Sequence, residues 1–330
     1  MDILQQTKQL CAKYQIKPAR SRGQNFLIAE KIYQKIIEAA ELKSNDVILE
    51  VGPGLGFLTE MLAKKVKRVI AVELDNKLAE VLTERFQKEK VNNIVLINKD
   101  ILKITNDEFY SVIASEAECN GAKCGNPVNS AQMTGLLRRP DPEYSGFGTS
   151  RNDSYKIVAN LPYNITSRFL RKFLSEMENK PSEMVLMLQQ EVAERICAAA
   201  GQMSLLAVSA QFYATPKIIA RVPAGVFWPS PKVDSAIIKL RTLPTGRQVK
   251  NYELRIKEKD EQKLFKLVKI GFSAKRKQLA GNLIKNLKIK REEITKILTN
   301  CGLKETVRAQ ELSLDDWQRL FVVLDRQNML

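Results

Sequence analysis

Histidine is absent from this sequence of 330 residues. Its absence excludes catalysis by Ser-His-Asp or Cys-His arrangements and every metal site that uses a histidine ligand. Histidine is also the side chain whose ordinary pKa lies closest to neutral pH. Any chemistry that this protein performs must therefore proceed without the usual general base.

Cysteines and long apolar runs are also scarce. The five cysteines are Cys11, Cys119, Cys124, Cys197 and Cys301. Only Cys119 and Cys124 are close in sequence, and no third cysteine lies near them to complete a metal site, so we expect reduced thiols and no metal. No apolar run reaches the length of about 18 residues that a membrane span needs. Residues 1–22 lack the apolar core of a signal peptide, and these features predict a cytoplasmic protein without a membrane partner.

Acidic residues are too few to balance the basic ones. Lys and Arg number 53 against 37 Asp and Glu, a net charge of +16. Residues 250–296 contain 15 Lys or Arg and 6 Asp or Glu, so +9 of the excess lies there. Such an excess indicates a polyanionic partner, nucleic acid or an anionic membrane surface, although positive charge can also serve solubility alone.

Strand-like and helix-like segments alternate along the first two thirds of the chain. Short apolar runs at 47–51, 68–73, 93–100, 156–161 and 183–188 predict strands, with amphipathic helices between them. This alternation is typical of a doubly wound α/β fold with a mainly parallel sheet. Two further strand patterns flank a proline-rich loop at 222–232 and predict an antiparallel edge.

The patterns predict three regions. Residues 1–22 form a basic N-terminal arm with some helical pattern, 23–245 form the doubly wound α/β domain, and 246–330 form a small, basic all-α domain. Within the second region, residues 111–154 are rich in Gly, Asn, Ser and Pro and show little periodicity. We expect this segment to be a disordered insertion.

A glycine-rich turn, Glu50-Val-Gly-Pro-Gly-Leu-Gly56, directly follows the first strand. Phe57 and Leu58 come next, so the turn lacks the Lys-Ser/Thr pair of a phosphate-binding loop. It favours a nucleoside without phosphate, such as S-adenosylmethionine, although similar turns also serve as plain strand–helix connections. Glu73 and Asp100 end the next two strands, where carboxylates can bind ribose hydroxyls and an adenine amine.

A second motif, Asn160-Leu-Pro-Tyr163, ends the fourth strand. The amine on a purine is a poor nucleophile because its lone pair is delocalised into the ring. An amide oxygen and a backbone carbonyl that accept its two hydrogens would localise that lone pair, and Tyr163 would offer a face on which the base stacks. Methyl transfer from a sulfonium is a direct displacement that needs no strong base, which suits a chain without histidine. The alternative is a strand-ending turn with a packed tyrosine.

Two further segments are unusual but not diagnostic alone. Gly23-Gln-Asn-Phe-Leu27 precedes the first helix of the sheet domain, and Phe227-Trp-Pro-Ser-Pro-Lys232 holds aromatic residues between prolines. The second segment would either stack on a nucleobase or anchor a buried loop.

Taken together, these stretches closely resemble the small-subunit (16S) ribosomal RNA adenine dimethyltransferase family. The matching segments occur in order along nearly the whole chain and lie at 23–27, 48–62, 69–75, 156–167, 187–196, 226–240, 272–283 and 308–320. The resemblance implies a Rossmann-like class I S-adenosylmethionine-dependent methyltransferase with a small C-terminal all-α domain. It also implies dimethylation of two adjacent adenosines in the 3′-terminal hairpin of 16S rRNA, within the small ribosomal subunit, by a monomer. Family members usually have a much shorter connection where 111–154 lies.

The resemblance also implies residue roles at the matching positions. Cofactor contacts are implied for Gln24, Asn25, Leu27, Gly52, Gly54, Glu73, Asp100, Ile101 and Asn160. Contacts with the target adenine are implied for Asn160, Leu161, Pro162, Tyr163 and Phe227. The basic excess in the C-terminal domain, 246–330, further predicts that this domain binds RNA, with contacts at Lys275, Arg276, Lys277 and Lys285.

Three alternatives differ in class. Relatives in the same superfamily methylate large-subunit rRNA and confer macrolide resistance. A non-catalytic RNA-binding assembly factor would keep the fold, but the intact motif from Asn160 to Tyr163 argues against it. A NAD-dependent dehydrogenase fits Gly52–Gly56 poorly and would lack an acid or base for hydride transfer.

Overall fold

The structure is a computed structural model. It describes residues 2–18, 24–114, 154–243, 260–274 and 276–330. The strands are β1 (Phe26–Leu27), β2 (Val47–Val51), β3 (Arg68–Glu73), β4 (Ile94–Asn98), β5 (Tyr155–Asn160), β6 (Glu183–Gln189), β7 (Ala214–Val222), β8 (Phe227–Trp228) and β9 (Ser235–Thr242).

The helices of the first part of the chain are α1 (Ile3–Lys13), α2 (Glu30–Ala39), α3 (Phe57–Ala63), α4 (Asn76–Lys88), α5 (Asn106–Ala114) and α6 (Thr166–Arg171). A π-helical turn, Lys172–Glu176, continues α6. The later helices are α7 (Gln190–Ile196), α8 (Leu205–Tyr213), α9 (Glu261–Gly271), α10 (Leu279–Leu287), α11 (Arg291–Asn300) and α12 (Leu314–Arg326).

Within the described residues, seven strands form one sheet in the order β4-β3-β2-β5-β6-β9-β7. Strands β2 to β6 pair in parallel, because helical crossovers connect them. β9 runs antiparallel to β6, which confirms the predicted antiparallel edge. The strand order reverses between β2 and β5, and the carboxyl ends beside such a reversal are where open α/β sheets bind ligands.

The predicted strands match the sheet closely because their apolar runs are buried on both faces. Ile48, Leu49, Val69 and Ile157 have no exposed surface. Helix α4 begins where the Asp75 carboxylate accepts hydrogen bonds from the next backbone N–H groups. Among the described residues, no helix is both long and apolar enough to span a membrane.

The N-terminal segment is more ordered than a basic arm. Residues 3–13 form α1, which begins at the Asp2 cap. Cys11 is buried in the apolar core of the sheet region. The Lys13 ammonium lies 3.0 Å from the Glu84 carboxylate on α4. The sequence showed the helical pattern but not this packing, in which Cys11 and Ile16 join the core and Ile3, Leu10 and Tyr14 pack against it.

The predicted insertion at 111–154 begins too early. Helix α5 begins where Thr105 and Glu108 each accept a hydrogen bond from the other's backbone N–H, and it extends to Ala114. Phe109 anchors the helix, since its buried ring packs edge-on against Tyr155 with the ring centroids 4.8 Å apart. Residues 115–153 lie outside the described part of the chain, and so does the rest of that prediction.

The chain divides into two compact units. The first comprises residues 1–190 and 217–242, and the second comprises 191–216 and 243–330. The second unit therefore includes α8, which the sequence analysis assigns to the sheet domain. Phe212 of α8 packs edge-on against Phe265 of α9, a contact between distant parts of the chain that local periodicity does not report. Trp317 is fully buried in this unit, and a methyl group at Gly271 would lie 2.2 Å from its ring.

Candidate active site

The glycine-rich turn bends the chain sharply after β2. Gly52 and Gly54 both have positive φ values, 67° and 62°, which other residues adopt at a cost. The Gly52 N–H donates to the Val72 carbonyl at 2.9 Å. A Cβ at Gly52 would lie 3.9 Å from the Asn160 carbonyl. The turn therefore lies directly beside the end of β5, at the reversal of strand order.

Glu73 lies at the carboxyl end of β3 and faces the glycine turn. One of its carboxylate oxygens accepts from the Gly54 N–H at 3.2 Å, and the other accepts from the Asp75 N–H at 2.9 Å. Burial raises the pKa of Glu73 to about 7 despite these hydrogen bonds. These bonds leave part of the carboxylate's acceptor capacity unused, so it can accept a further hydrogen bond from a ligand hydroxyl.

Glu50 is a second buried carboxyl group, which opens the glycine-rich motif but for which no role was predicted. It lies on β2 with 2% of its surface exposed, and its Oε2 atom has no hydrogen-bond partner in the described residues. Burial, and then the nearby Glu73 carboxylate, raise the pKa of Glu50 to about 8. An acidic residue inside the apolar run VILEV was the signal, because charged residues are rarely buried without a purpose.

The Asn160–Tyr163 segment leaves β5 toward the same edge of the sheet. The Leu161 N–H donates to the Met187 carbonyl of β6 at 3.2 Å, and the Ile165 N–H donates to the Pro162 carbonyl at 3.2 Å. The Tyr163 hydroxyl lies 2.8 Å from the Ser235 hydroxyl on β9. The turn is thus tied to two neighbouring strands, which holds its residues in place.

The two segments that were not diagnostic alone meet in space. β1 and β8 form a two-stranded antiparallel ladder in which Leu27 pairs with Phe227. The buried Tyr33 hydroxyl donates to the Leu27 carbonyl at 2.8 Å. The Gln24 side-chain amide donates to the Asp75 carboxylate at 3.2 Å, which connects the start of the segment to the end of β3.

One cavity brings most of the predicted site residues together. Its lining also includes Glu50, Tyr33, Leu74 and Asp75. The predicted residues that line it are Gln24, Asn25, Leu27, Gly52, Gly54, Glu73, Asn160, Leu161, Pro162, Tyr163 and Phe227.

Asp100 and Ile101 do not line this cavity. They follow β4, whose last residue, Asn98, pairs with Glu73. The Asp100 carboxylate accepts from the Leu102 N–H at 2.9 Å and so caps a short 3-10 turn, while Ile101 is buried. The local cap explains why an acid stands at this position, and its cofactor contact stays a prediction.

The predicted RNA-contact residues lie in the second unit. Arg276 and Lys277 are exposed in a turn that ends before α10 begins at Leu279. Lys285 is exposed near the end of α10, and Lys275 lies outside the described residues. In the described part of the chain, no group of three or more Cys, Asp or Glu residues is arranged to hold a metal ion.

Two solved structures share this architecture. A dimethyladenosine transferase from Plasmodium falciparum superposes with a TM-score of 0.65 at 24% identity, over 92% of this chain and 98% of that one. The 23S rRNA methyltransferase ErmE superposes with a TM-score of 0.62 at 24% identity, over 91% of this chain and all of that one. The fold is therefore that of a Rossmann-like class I methyltransferase, as predicted.

The sequence comparisons define the family more narrowly. The model for ribosomal RNA adenine dimethylases matches residues 16–326. A ribosomal RNA small subunit methyltransferase A from Dehalococcoides mccartyi is 37% identical over 96% of this chain and 92% of its own length. Its counterpart from Alkaliphilus metalliredigens is 31% identical over 95% of this chain and 94% of its own length. This chain belongs to the ribosomal RNA adenine dimethylase family, which confirms the predicted enzyme class.

Proposed function

We propose that this chain transfers methyl groups from S-adenosylmethionine to the exocyclic amines of two adjacent adenosines in the 3′-terminal hairpin of 16S rRNA. The substrate is the RNA of the small ribosomal subunit, and the enzyme acts as a monomer. The observation that carries this proposal is a single cavity lined by Glu73, Asn160 and Tyr163 at the reversal of strand order.

The lining of the cavity fits the proposed cofactor. Two buried carboxyl groups, Glu50 and Glu73, line the cavity, and the glycine-rich turn beside them lacks the Lys-Ser/Thr pair of a phosphate-binding loop. Such a lining disfavours a phosphate and favours a ligand that carries positive charge and ribose hydroxyls. Glu73 would hold the ribose, and Gln24, Asn25, Leu27 and Gly52 would hold the methionine end. When bound, S-adenosylmethionine supplies an electrophilic methyl group on a sulfonium.

The remaining chemistry belongs to residues of this chain. The Asn160 amide oxygen accepts a hydrogen from the adenine amine and localises the nitrogen lone pair, and a backbone carbonyl of the Leu161-Pro162 turn accepts the other. Tyr163 and Phe227 hold the two faces of the base. The alkylated amine loses its proton readily, so the reaction needs no histidine as a general base.

The relatives support the small-subunit substrate over the large-subunit alternative. Both relatives described above are small-subunit methyltransferases by name, at 31% identity or more. ErmE, which is named for 23S rRNA, is similar at 24% identity and supports the fold only.

The test is to incubate the protein with radiolabelled S-adenosylmethionine and undermethylated small subunits, and then to map the labelled bases. We expect label on two adjacent adenosines near the 3′ end of 16S rRNA. Label in large-subunit RNA would favour the resistance-type activity. Cofactor binding without any transfer would favour the assembly factor.

A further inference from the structure

Two consecutive residues, Asp234 just before β9 and Ser235 at its start, contact the segments that carry Phe227 and Tyr163. The fully buried Ser235 hydroxyl lies 2.8 Å from the Tyr163 hydroxyl. The Asp234 carboxylate accepts a hydrogen bond from the Ala224 N–H at 2.8 Å. Neither residue is among those that line the cavity.

The hydrogen bond of Asp234 holds the turn that directly precedes Phe227. Residues 224–226 form a 3-10 turn directly before Phe227. The Ser230 hydroxyl donates to the Ala224 carbonyl at 3.0 Å, and the Ile28 N–H donates to the Val226 carbonyl at 2.9 Å. Together with the hydrogen bond from the Ala224 N–H to Asp234, three hydrogen bonds hold the backbone that leads into Phe227.

The Asp234-Ser235 dipeptide is itself fixed by the sheet. Ser235 pairs with Gln189 across the β6–β9 ladder, and the Gln190 N–H donates to the Asp234 carbonyl at 3.0 Å. β6 also accepts the Leu161 N–H through Met187. The dipeptide and the Asn160–Tyr163 turn therefore take their positions from the same strand.

We propose that Asp234 and Ser235 are positioning residues that fix Phe227 and Tyr163 as the two faces that hold the target adenine. Ser235 anchors the hydroxyl end of the Tyr163 ring, and Asp234 holds the turn that precedes Phe227. This inference rests on the proposed function for its biological meaning, but the contacts themselves can be tested without it. Stacking needs both rings to be placed correctly, since a small displacement lowers the rate of a positioned reaction.

The Ser235 contact is tested by a double-mutant cycle with Ser235→Ala and Tyr163→Phe. Both changes remove the hydroxyl pair and keep the aromatic ring. Each single variant should lower kcat/KM for the RNA by about 2- to 12-fold, the range of one neutral hydrogen bond. The double variant should lose no more than either single variant. The dissociation constant of S-adenosylmethionine should stay unchanged in all three.

A matched control is Ser182→Ala. The Ser182 hydroxyl donates to the Tyr155 carbonyl at 3.1 Å, and neither residue lines the cavity. This variant should leave kcat/KM unchanged. Additive losses in the cycle, or a full rate in both single variants, would overturn the role of Ser235.

The Asp234 contact is tested by comparing Asp234→Ala with Asp234→Asn. Both substitutions remove the charge, but the asparagine oxygen can still accept from the Ala224 N–H. Only the alanine variant should lower kcat/KM. Equal losses would show that the charge matters and the hydrogen bond does not, which contradicts a positioning role.

A measurement without RNA separates this inference from the proposed function. The chain has eight tyrosines, and in protein with 13C-labelled tyrosine rings the Tyr163 signal is the one that disappears in Tyr163→Phe. We expect Ser235→Ala to shift and narrow that signal as the ring gains freedom. An unchanged signal would contradict the inference. A wild-type protein that methylates no rRNA would contradict the proposed function and leave this result intact.

Discussion

Leu27 pairs with Phe227 across a two-residue antiparallel ladder, although 199 positions separate them in the sequence. Leu27 belongs to the segment expected to contact the cofactor, and Phe227 belongs to the one expected to cover the target base. Both residues line the same cavity. The ladder therefore connects the two halves of the proposed reaction site through the backbone.

Tyr33 holds one strand of this ladder through its hydrogen bond to the Leu27 carbonyl. Tyr33→Phe removes the donor to the Leu27 carbonyl and leaves a buried acceptor unpaired, so the free energy of unfolding should fall by about 1–3 kcal/mol. S-adenosylmethionine should also bind more weakly. Denaturant titration and calorimetry measure the two effects. Tyr14→Phe, whose hydroxyl contacts the exposed Lys13, is the control and should change neither quantity.

Glu73 should determine cofactor affinity. Glu73→Ala removes the acceptor proposed for the ribose hydroxyls and should weaken binding by about 1–3 kcal/mol. Calorimetry with S-adenosylmethionine measures this decrease, and circular dichroism verifies that the variant is folded. Glu84→Ala, which removes an exposed glutamate of α4, should bind normally. Unchanged affinity in Glu73→Ala would refute the assignment.

Asn160→Ala should abolish most turnover and affect cofactor affinity much less. The amide is proposed to act on the transition state, and removal of one such interaction typically lowers kcat by about 100-fold or more. Single-turnover methylation of undermethylated small subunits measures the rate of methyl transfer. Asn300→Ala removes an exposed amide at the end of α11 and should retain full turnover. A near-normal rate in Asn160→Ala would remove this residue from the mechanism.

Glu50 should make the stability of the cofactor-free protein depend on pH. Its pKa is raised from 4.5 to about 8 in the folded state, so between these values the folded chain holds a proton that the unfolded chain has released. Stability is therefore lost as pH rises through this window. Glu50→Gln lacks this dependence, so its stability relative to wild type should increase with pH by up to about 1.4 kcal/mol per unit. Urea titrations at pH 5 and 8 measure the difference, and an equal difference at both pH values would contradict the raised pKa.

The basic residues at 275–277, which precede α10 in the sequence, should contact RNA phosphates. Replacement of Lys275, Arg276 and Lys277 by Gln should weaken RNA binding and flatten its dependence on salt by up to about 2–3 units, since each phosphate that is no longer neutralised changes the slope by roughly 0.7–0.9. Cofactor affinity should not change. A control that replaces the exposed Lys64, Lys65 and Lys67 of the first unit removes equal charge. If both triple variants behave alike, net charge explains the effect and this cluster is not the contact surface.

The sequence by itself determined the elements and much of the site. Apolar runs such as 47–51 and 68–73 identified strands with their bounds, because a strand buried on both faces must be apolar along its whole length. The positions of the glycine turn, Glu73 and Asn160 followed, since parallel strands bring their carboxyl ends to one edge. These features depend on local composition and on a general rule of topology.

Only the tertiary structure decided which distant segments meet. It paired Leu27 with Phe227, placed Ser235 against Tyr163 and enclosed Glu50 beside Glu73. It also assigned α8 to the C-terminal unit. Such contacts join residues far apart in the chain, and their free energy comes from burial and hydrogen bonds that form only once the chain has closed the loops between them. The local periodicity of the sequence therefore does not predict which distant segments will meet.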